Sequence, residues 1–534
     1  MVDIKDLEKA AREGTLDRRE FIKRAGALGL AAPFAASLLT QSVQAAMIPK
    51  KGGKFRLGVG HGSTTDTLDP GTHENGFMSD TVYAYANHLF EVDNTQILVP
   101  ELAESFEASA DAKTWVIKLR KDVVFHNGKE MTADDVIASI NHHRGEDSKS
   151  AGKSLLDPLQ EMKKTGKHEV TFVLSAGNAD FPFILSDYHF AILPEFDGKM
   201  DWQAGFGTGG YVIQKFEPGV RVTFKRNPNY WKAGRAHFDE VEIIALIDTT
   251  ARQNAGMNQE VDVIDRVDPK TVHLLSRNPN LTILETTGTL HYTFPMRVNA
   301  PPFDNKDLRM AVKLSIDREQ LLSKILLGHG AIGNDHPISA ANPYHNGEMA
   351  QRTYDPDKAR HHLKKAGMEG VTLDLSTSEA AFSGAVDAAL LIKDSAAKAG
   401  LNINVVREPK DGYWSNVWNK KPWCACYWGG RPTEDWMFTA AYVAESKWND
   451  TAWTTGTAAD KFNKLVVAAR SELDTSKRRE MYYECQVLVS NEGGALIPLF
   501  ANYIMALNKK VAHGEVAGNW DKDGNKAIER WWFA

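Results

Sequence analysis

Two hydrophobic periods run along this chain. Lys54–Val59 (KFRLGV) and Thr114–Arg120 (TWVIKLR) alternate every second residue, as half-buried strands do. Thr208–Ile213 and Val220–Lys225 pair as a hairpin, closed by Asn227-Pro228-Asn229-Tyr230-Trp231, and Asn127-Gly128 marks a tight turn. Helical spacing appears at Asp80–Phe90, Asp307–Leu327, Asp355–Ala366, Ala385–Gly400 and Ala458–Asn491. Thr132 caps a further helix, Ala133–His142, with Asp134 and Asp135 in its first turn, where carboxylates suit the helix dipole. Strands and helices alternate, which predicts an α/β chain.

One stretch departs from both patterns. Tyr413–Trp453 holds Trp414, Trp418, Trp423, Trp428, Trp436, Trp448 and Trp453, seven of the chain's 13 tryptophans. Such density exceeds ordinary core packing, because each indole brings an N–H that needs a partner when buried. At its centre Cys424–Trp428 reads as a short apolar strand, broken by Gly429-Gly430-Arg431-Pro432. A strand ending in glycines, with an arginine and aromatic rings at its tip, is a candidate binding edge. Trp414, Tyr427 and Trp428 would supply flat faces for peptide side chains, sugar rings or cations.

With 534 residues the chain exceeds one core, so two or three domains are expected. A net charge of −6 with no basic block argues against a nucleic-acid partner. Three cysteines, two of them Cys424 and Cys426 on one strand face, make neither a disulfide framework nor a CxxC metal site, and read as small buried hydrophobes. There is no GxSxG, HExxH or phosphate-binding loop, so no catalytic residue, cofactor or metal is expected. His142-His143 and His361-His362 are adjacent pairs, which do not share a helix face, and read as surface residues.

The N-terminus carries an address. Arg18-Arg19 with Phe21 precedes an apolar run, Ala25–Leu39, that is short for a bilayer span, and Val43-Gln44-Ala45 offers a cleavage site. The pattern resembles a twin-arginine export signal, with Asp17 at a position that is commonly Ser. A signal peptide over 1–45, export through the twin-arginine translocase and a periplasmic mature protein are expected.

Four segments in order extend the picture: Trp115–Val136, the Gly209-Gly210-Tyr211 to Asn227–Trp231 segment, Pro301–Ala311, and Ile316-Asp317-Arg318. In this order they resemble the family 5 extracellular solute-binding proteins of ABC importers, the dipeptide and oligopeptide binders, from about Lys54 to the C-terminus. The resemblance implies a two-lobed α/β periplasmic-binding-protein fold with a hinge and an extra domain (type II, class C-like). It places lobe one at 46–103, 206–297 and 501–534, the extra domain at 104–205 and lobe two at 298–500. The chain would then cross between lobes at Pro295–Asn299 and Ile497–Ala501, making a hinge. It further implies a monomer that captures a small solute, a peptide by the family's habit, and delivers it to an ABC permease and its ATPase. Oligopeptide binders carry, three residues after a Trp matched by Trp428, an aspartate that pairs with the peptide ammonium. This chain has Arg431 there, which would repel an ammonium and favour a carboxylate. Glu434 and Asp435 would then pair with Arg431 or take over the ammonium. Asn75-Gly76-Phe77 stands where peptide binders present backbone to an extended ligand. The alternative ligands are an acidic opine-like compound or an oligosaccharide; the alternative of another class is a secreted α/β hydrolase.

Overall fold

The computed structural model describes residues 49–73, 75–95, 97–409 and 413–534. Arg18, Arg19 and Phe21, on which the expected export signal rests, lie outside the described residues. A seven-stranded sheet runs in the order Tyr211–Glu217, Arg221–Arg226, Glu240–Ala245, Lys54–Val59, Val263–Ile264, Tyr503–Asn508 and Leu281–Thr286. Lys54–Val59 is parallel to both its neighbours, with Lys54 beside Glu240 and Leu57 beside Val263. Phe55, Leu57 and Val59 point into a core with Phe77, Tyr85, Phe224 and Trp531. The hairpin expected around 208–225 forms there, antiparallel and with a bulge between Ile213 and Lys215.

A second, wholly antiparallel sheet is inserted between these strands in sequence. It runs Ala103–Ala108, Thr114–Leu119, Glu169–Leu174, Leu159–Gly166. The helix Ala133–His142 covers it, its Asp135 carboxylate accepting from the Thr132 N–H at 2.8 Å. His143, expected at the surface, is buried against Ser150 Oγ at 2.7 Å. The turn after the helix folds it inward, onto Phe190.

The remaining chain builds a four-stranded sheet, Gly330–Ile332, Leu499–Ala501, His291–Thr293 and Cys426–Trp428, and a parallel pair, Thr372–Thr377 with Asn402–Arg407. A single bridge, Ser376 to Cys424, ties the two together, and another, Met296 to Trp423, extends the four-stranded sheet. The chain therefore passes from the first sheet to this one over 287–290 and returns at Asn502. The expected passages, Pro295–Asn299 and Ile497–Ala501, instead lie mostly within the second body. The strand His291–Thr293 is already hydrogen-bonded to Phe500 and Trp428, so the crossing falls before it.

Three helices differ from their periodic pattern. The one expected at Asp80–Phe90 spans Gly76–Tyr85, because Asn75 Oδ1 caps it early and Phe90 pairs instead with Pro100. Asp307–Leu327 is two helices, Lys306–Leu314 and Arg318–Ile325, the second started by Asp317, which accepts from Gln320 N. Ala458–Asn491 is likewise Thr457–Ser471 and Thr475–Glu492, parted by the Asp474 cap. Among the described residues no helix is long and apolar enough to cross a membrane.

Candidate functional site

The strand Cys426–Trp428 turns its side chains alternately. Cys426 and Trp428 face inward and Tyr427 outward, 44% exposed. Tyr427 lies opposite Tyr292 in the antiparallel pairing, so their rings share one face of the sheet. Trp414, 41% exposed, meets Tyr427 edge-on with ring centres 5.7 Å apart, and Tyr292 stacks on Phe382 at 4.0 Å. This is an aromatic face open for contact. Trp428 belongs to the other side, packing with Met437 and Phe438. Its indole N–H and that of Trp418 both donate to Asp450 Oδ2 at 3.1 Å. Burial raises the Asp450 carboxyl to about 6, and the two indoles offset part of that. The dense tryptophans thus divide: Trp423, Trp428 and Trp453 are buried, while Trp414 and Trp448 reach solvent.

After Trp428 the glycine turn runs against the segment that crosses between the bodies. A Cβ on Gly430 would fall 1.7 Å from Thr289 Oγ1, so only glycine permits this approach. Arg431 follows, half-buried. Its guanidinium donates to the carbonyls of Gly429 at 2.8 Å and Gly430 at 3.1 Å and lies 5.9 Å from the Trp436 ring centre. Burial lowers its pKa, and Tyr188, Asp187 and Tyr503 offset only part of that. Glu434 and Asp435, expected as its partners, face away into the second body. The Glu434 carboxylate accepts from Tyr344 N at 2.7 Å, and Asp435 pairs with Arg470 at 3.0 Å. Both begin the helix Glu434–Ala441, capped by Thr433, and the helix direction turns them from the tip.

On the first body, Asn75 caps its helix and donates to Asp66 at 2.7 Å. Gly76 N–H is given to His61 Nδ1 at 3.1 Å, and Phe77 is fully buried in the core. The backbone donor expected to meet an extended ligand is therefore already engaged at Gly76, and Phe77 is a packing residue. The parts of this wall that sequence reasoning missed follow the carboxyl ends of two parallel strands. His61 comes after Lys54–Val59, and Arg266 after Val263–Ile264. Arg266 has φ +49° and touches His61 Nε2 through its guanidinium. Burial and the Arg266 charge hold His61 down to about 4, so its ring is neutral. Beside them Lys522, Asp523, Gly524 and Asn525 all have positive φ, a left-handed turn that Asp-Gly-Asn chemistry in the sequence could have flagged. Lys522 Nζ is buried among Asp521 (3.3 Å), Asp265 (3.4 Å) and Asp80 (3.6 Å). Burial raises the Asp80 carboxyl well above its usual range.

At the seam between the two bodies, Pro432 and Trp436 of one and Tyr83, Ser186, Asp187, Trp520 and Lys526 of the other line a narrow cavity of about 10 Å³. Behind this seam Glu91, Glu101 and Glu529 bring carboxylate oxygens close enough together for a cation. Lys232 and Lys526 fill that role: Lys232 lies 2.8 Å from Glu91 and 2.5 Å from Glu101, Lys526 2.7 Å and 2.8 Å from the same two. The trio is a closed ion cluster rather than a metal centre.

Known proteins share this architecture. The dipeptide-binding protein of Escherichia coli (strain K12) is 25% identical over 467 residues, covering 79% of this chain and 84% of that protein. The structure of DppA from Helicobacter pylori in complex with the peptide STSA superposes with a TM-score of 0.72 at 18% identity, covering 91% of this chain and 98% of that one. That of AgaA from A. tumefaciens R10 in complex with agropinic acid does so with a TM-score of 0.71 at 21% identity, covering 90% and 99%. The model of the bacterial extracellular solute-binding proteins, family 5, matches residues 98–450, well over half of the chain. The chain belongs to the family 5 bacterial extracellular solute-binding proteins.

Proposed function

We propose that this protein is the periplasmic receptor of an ABC importer. It captures a peptide or a related small solute between its two bodies and hands it to a membrane permease driven by an ATPase. The observation that carries the reading is the pair of passages at 287–290 and Asn502, which join two separately cored bodies across a seam. Two adjacent crossings permit rotation of one body against the other. The relatives, a dipeptide-binding protein and a peptide complex among them, support a small solute as cargo. In this reading Trp414 and Tyr427 offer the ligand flat faces, Arg431 reaches toward it from the tip, and Trp428 positions the strand through Asp450. Asn75 and Gly76 shape the opposite wall, with Phe77 packed in the core beneath them, and Glu434 and Asp435 brace the tip from behind. The receptor acts as a monomer and carries out no covalent chemistry.

A pool of dipeptides added to the purified protein should raise its melting temperature, reduce its radius of gyration in solution scattering and change its tryptophan emission. An unchanged radius and melting temperature at saturating pool would count against a hinged receptor. Arg18-Arg19 before Phe21 supports export through the twin-arginine translocase. Replacing both arginines by Lys should leave the unprocessed precursor in the cytoplasm; processed protein in the periplasm would sink that assignment.

A further inference from the structure

The inserted antiparallel body is tied to the first body. His126 N donates to Gly207 O at 2.9 Å and Ile192 N to Asn87 O at 3.0 Å. Its loop 177–180 reaches the second body instead. Ala179 N donates to Arg470 O at 2.6 Å, and a Cβ on Gly177 would fall 2.8 Å from that of Ser471. Asp180 Oδ2 then lies 2.7 Å from Arg478 Nη2, with both side chains buried. Among the described residues two ion pairs join the bodies. The other, His329 with Glu285, sits beside the crossing at Asn502, whose side chain donates to the same carboxylate. Asp180 and Arg478 belong to neither crossing, so rotation about the crossings would part them.

Asp180 serves no purpose within its own body. It precedes the short helix Phe181–Ile184 yet its side chain makes no capping hydrogen bond. Phe181 anchors it by packing on Trp115 and Phe172, with ring centres 6.4 Å and 5.5 Å apart. Across the boundary Arg478 is already positioned. Its Nε donates to Ala469 O at 3.0 Å, and its guanidinium lies 5.7 Å from the Tyr344 ring centre. The charges around the pair are uneven. Within the second body, Arg470 and Arg478 face Glu434 and Asp435, and these balance. Asp180 brings in a third carboxylate. Tyr344, Tyr482 and Cys485 complete the surroundings, all held protonated by burial. Burial raises Asp435, and it raises Glu434 to about 7, with the Asp180 charge pushing both the same way. A proton on Glu434 therefore meets the surplus.

We propose that the inserted body is a latch: its Asp180 closes on Arg478 and holds the receptor shut, and closing takes up a proton in the charge cluster around them. This rests on the receptor reading and names what sets the closed population. When the bodies part, Asp180 withdraws and Glu434 loses a repelling neighbour, so it ionises more readily. The closed state binds the proton more tightly than the open one. By linkage the latch is firm at low pH and weakens as pH rises through about 7. A mildly acidic medium keeps the bodies together, and an alkaline one lets them part.

The test reads the closed population of the full mature protein. Spin labels are placed on cysteines introduced at Thr165 and Glu480, exposed positions on the inserted and second bodies; the three native cysteines are buried. Distances between the labels are measured at about pH 6 and about pH 8.5, with and without a pool of dipeptides. At the lower pH, Asp180→Asn should cut the ratio of short to long distances at least about fivefold. Asn keeps the size and loses only the charge, so the inserted body keeps its own packing. In the wild type the ratio should fall at least about threefold between the two pH values. Glu434→Gln, which keeps an oxygen for Tyr344 and cannot ionise, should abolish that fall. The proposal is overturned if Asp180→Asn keeps the wild-type ratio, if the wild type has one ratio at both pH values, or if the fall persists in Glu434→Gln. In each of these cases a shortening of the wild-type distance by the dipeptide pool leaves the receptor reading standing. If neither the pool, nor pH, nor Asp180→Asn changes any distance, the bodies do not rotate and both readings fail.

Discussion

Glu434 begins a helix and sits wholly inside the second body. Burial raises its carboxyl from 4.5 to about 7, and the hydrogen bond from Tyr344 N offsets only part of that. A pKa higher in the folded than in the unfolded state means the folded protein binds the proton more tightly. The stability this contributes is complete below pH 4.5 and is lost as pH rises through about 7. The shift corresponds to on the order of 3 kcal/mol over that window. Glu434→Gln keeps an oxygen for Tyr344 and cannot ionise. Denaturant unfolding at a series of pH values should show a flatter stability profile for the variant between those limits. An unchanged slope would show that Glu434 does not titrate there.

At the scale of elements, the turn between Trp428 and the helix Glu434–Ala441 depends on which of two glycines is considered. Nothing lies within 4 Å of a Cβ built on Gly429, while one on Gly430 collides with Thr289 in the crossing segment. Gly430→Ala must push the turn away from that segment, and with it Arg431 and Pro432. A cost of about 1–3 kcal/mol is expected, the range for overpacking a filled site. Gly429→Ala should stay within about 0.5 kcal/mol of wild type. Urea titrations of the two variants compare them directly, and equal midpoints would mean the turn does not bear on Thr289. The same collision explains why the Gly-Gly pair reads in sequence only as a break. Composition marks a turn, but which glycine meets another segment depends on where the crossing falls.

Across the whole molecule, a buried ion cluster ties together segments far apart in the chain. Lys526 lies 435 residues from Glu91 and 425 from Glu101 along the sequence, and Lys232 bridges the same carboxylates and Glu529. Lys526→Met leaves buried carboxylates short of one positive charge. Removing one partner of such a pair costs about 3–5 kcal/mol, because the charge left behind is uncompensated. Chemical denaturation should show that loss, and Glu91→Gln added to Lys526→Met should recover part of it. A double variant no more stable than the single one would argue that the cluster relaxes by admitting water. The cluster backs the seam, since Glu91 and Lys526 also line it. Destabilising it should therefore loosen the wall that Pro432 and Trp436 meet.

Periodicity and caps are local properties, and they were readable. Ala133–His142 has the expected bounds because Thr132 and Asp135 settle its start within one turn. The strands Lys54–Val59 and Thr114–Leu119 follow their alternation, and the order of four motifs pointed to the family that the comparisons establish. Asp317 and Asp474 were equally local signals, and a strict reading of caps would have split both long helices. The candidate site was legible only in part. Trp414 and Tyr427 stand on an open face, yet Phe77 is core and Trp428 serves Asp450. Glu434 finds Tyr344 at a separation of 90 residues and Lys522 finds Asp265 at 257, so no spacing rule reaches either pair. Arg266 carries no motif at all. What marks it is a left-handed backbone after the strand Val263–Ile264 and the contact of its guanidinium with His61. The sequence determined which segments become helices and strands, because those choices are made among near neighbours. Only the tertiary structure decided which charges meet and which side chains are buried, because that depends on distances between segments the chain itself keeps far apart.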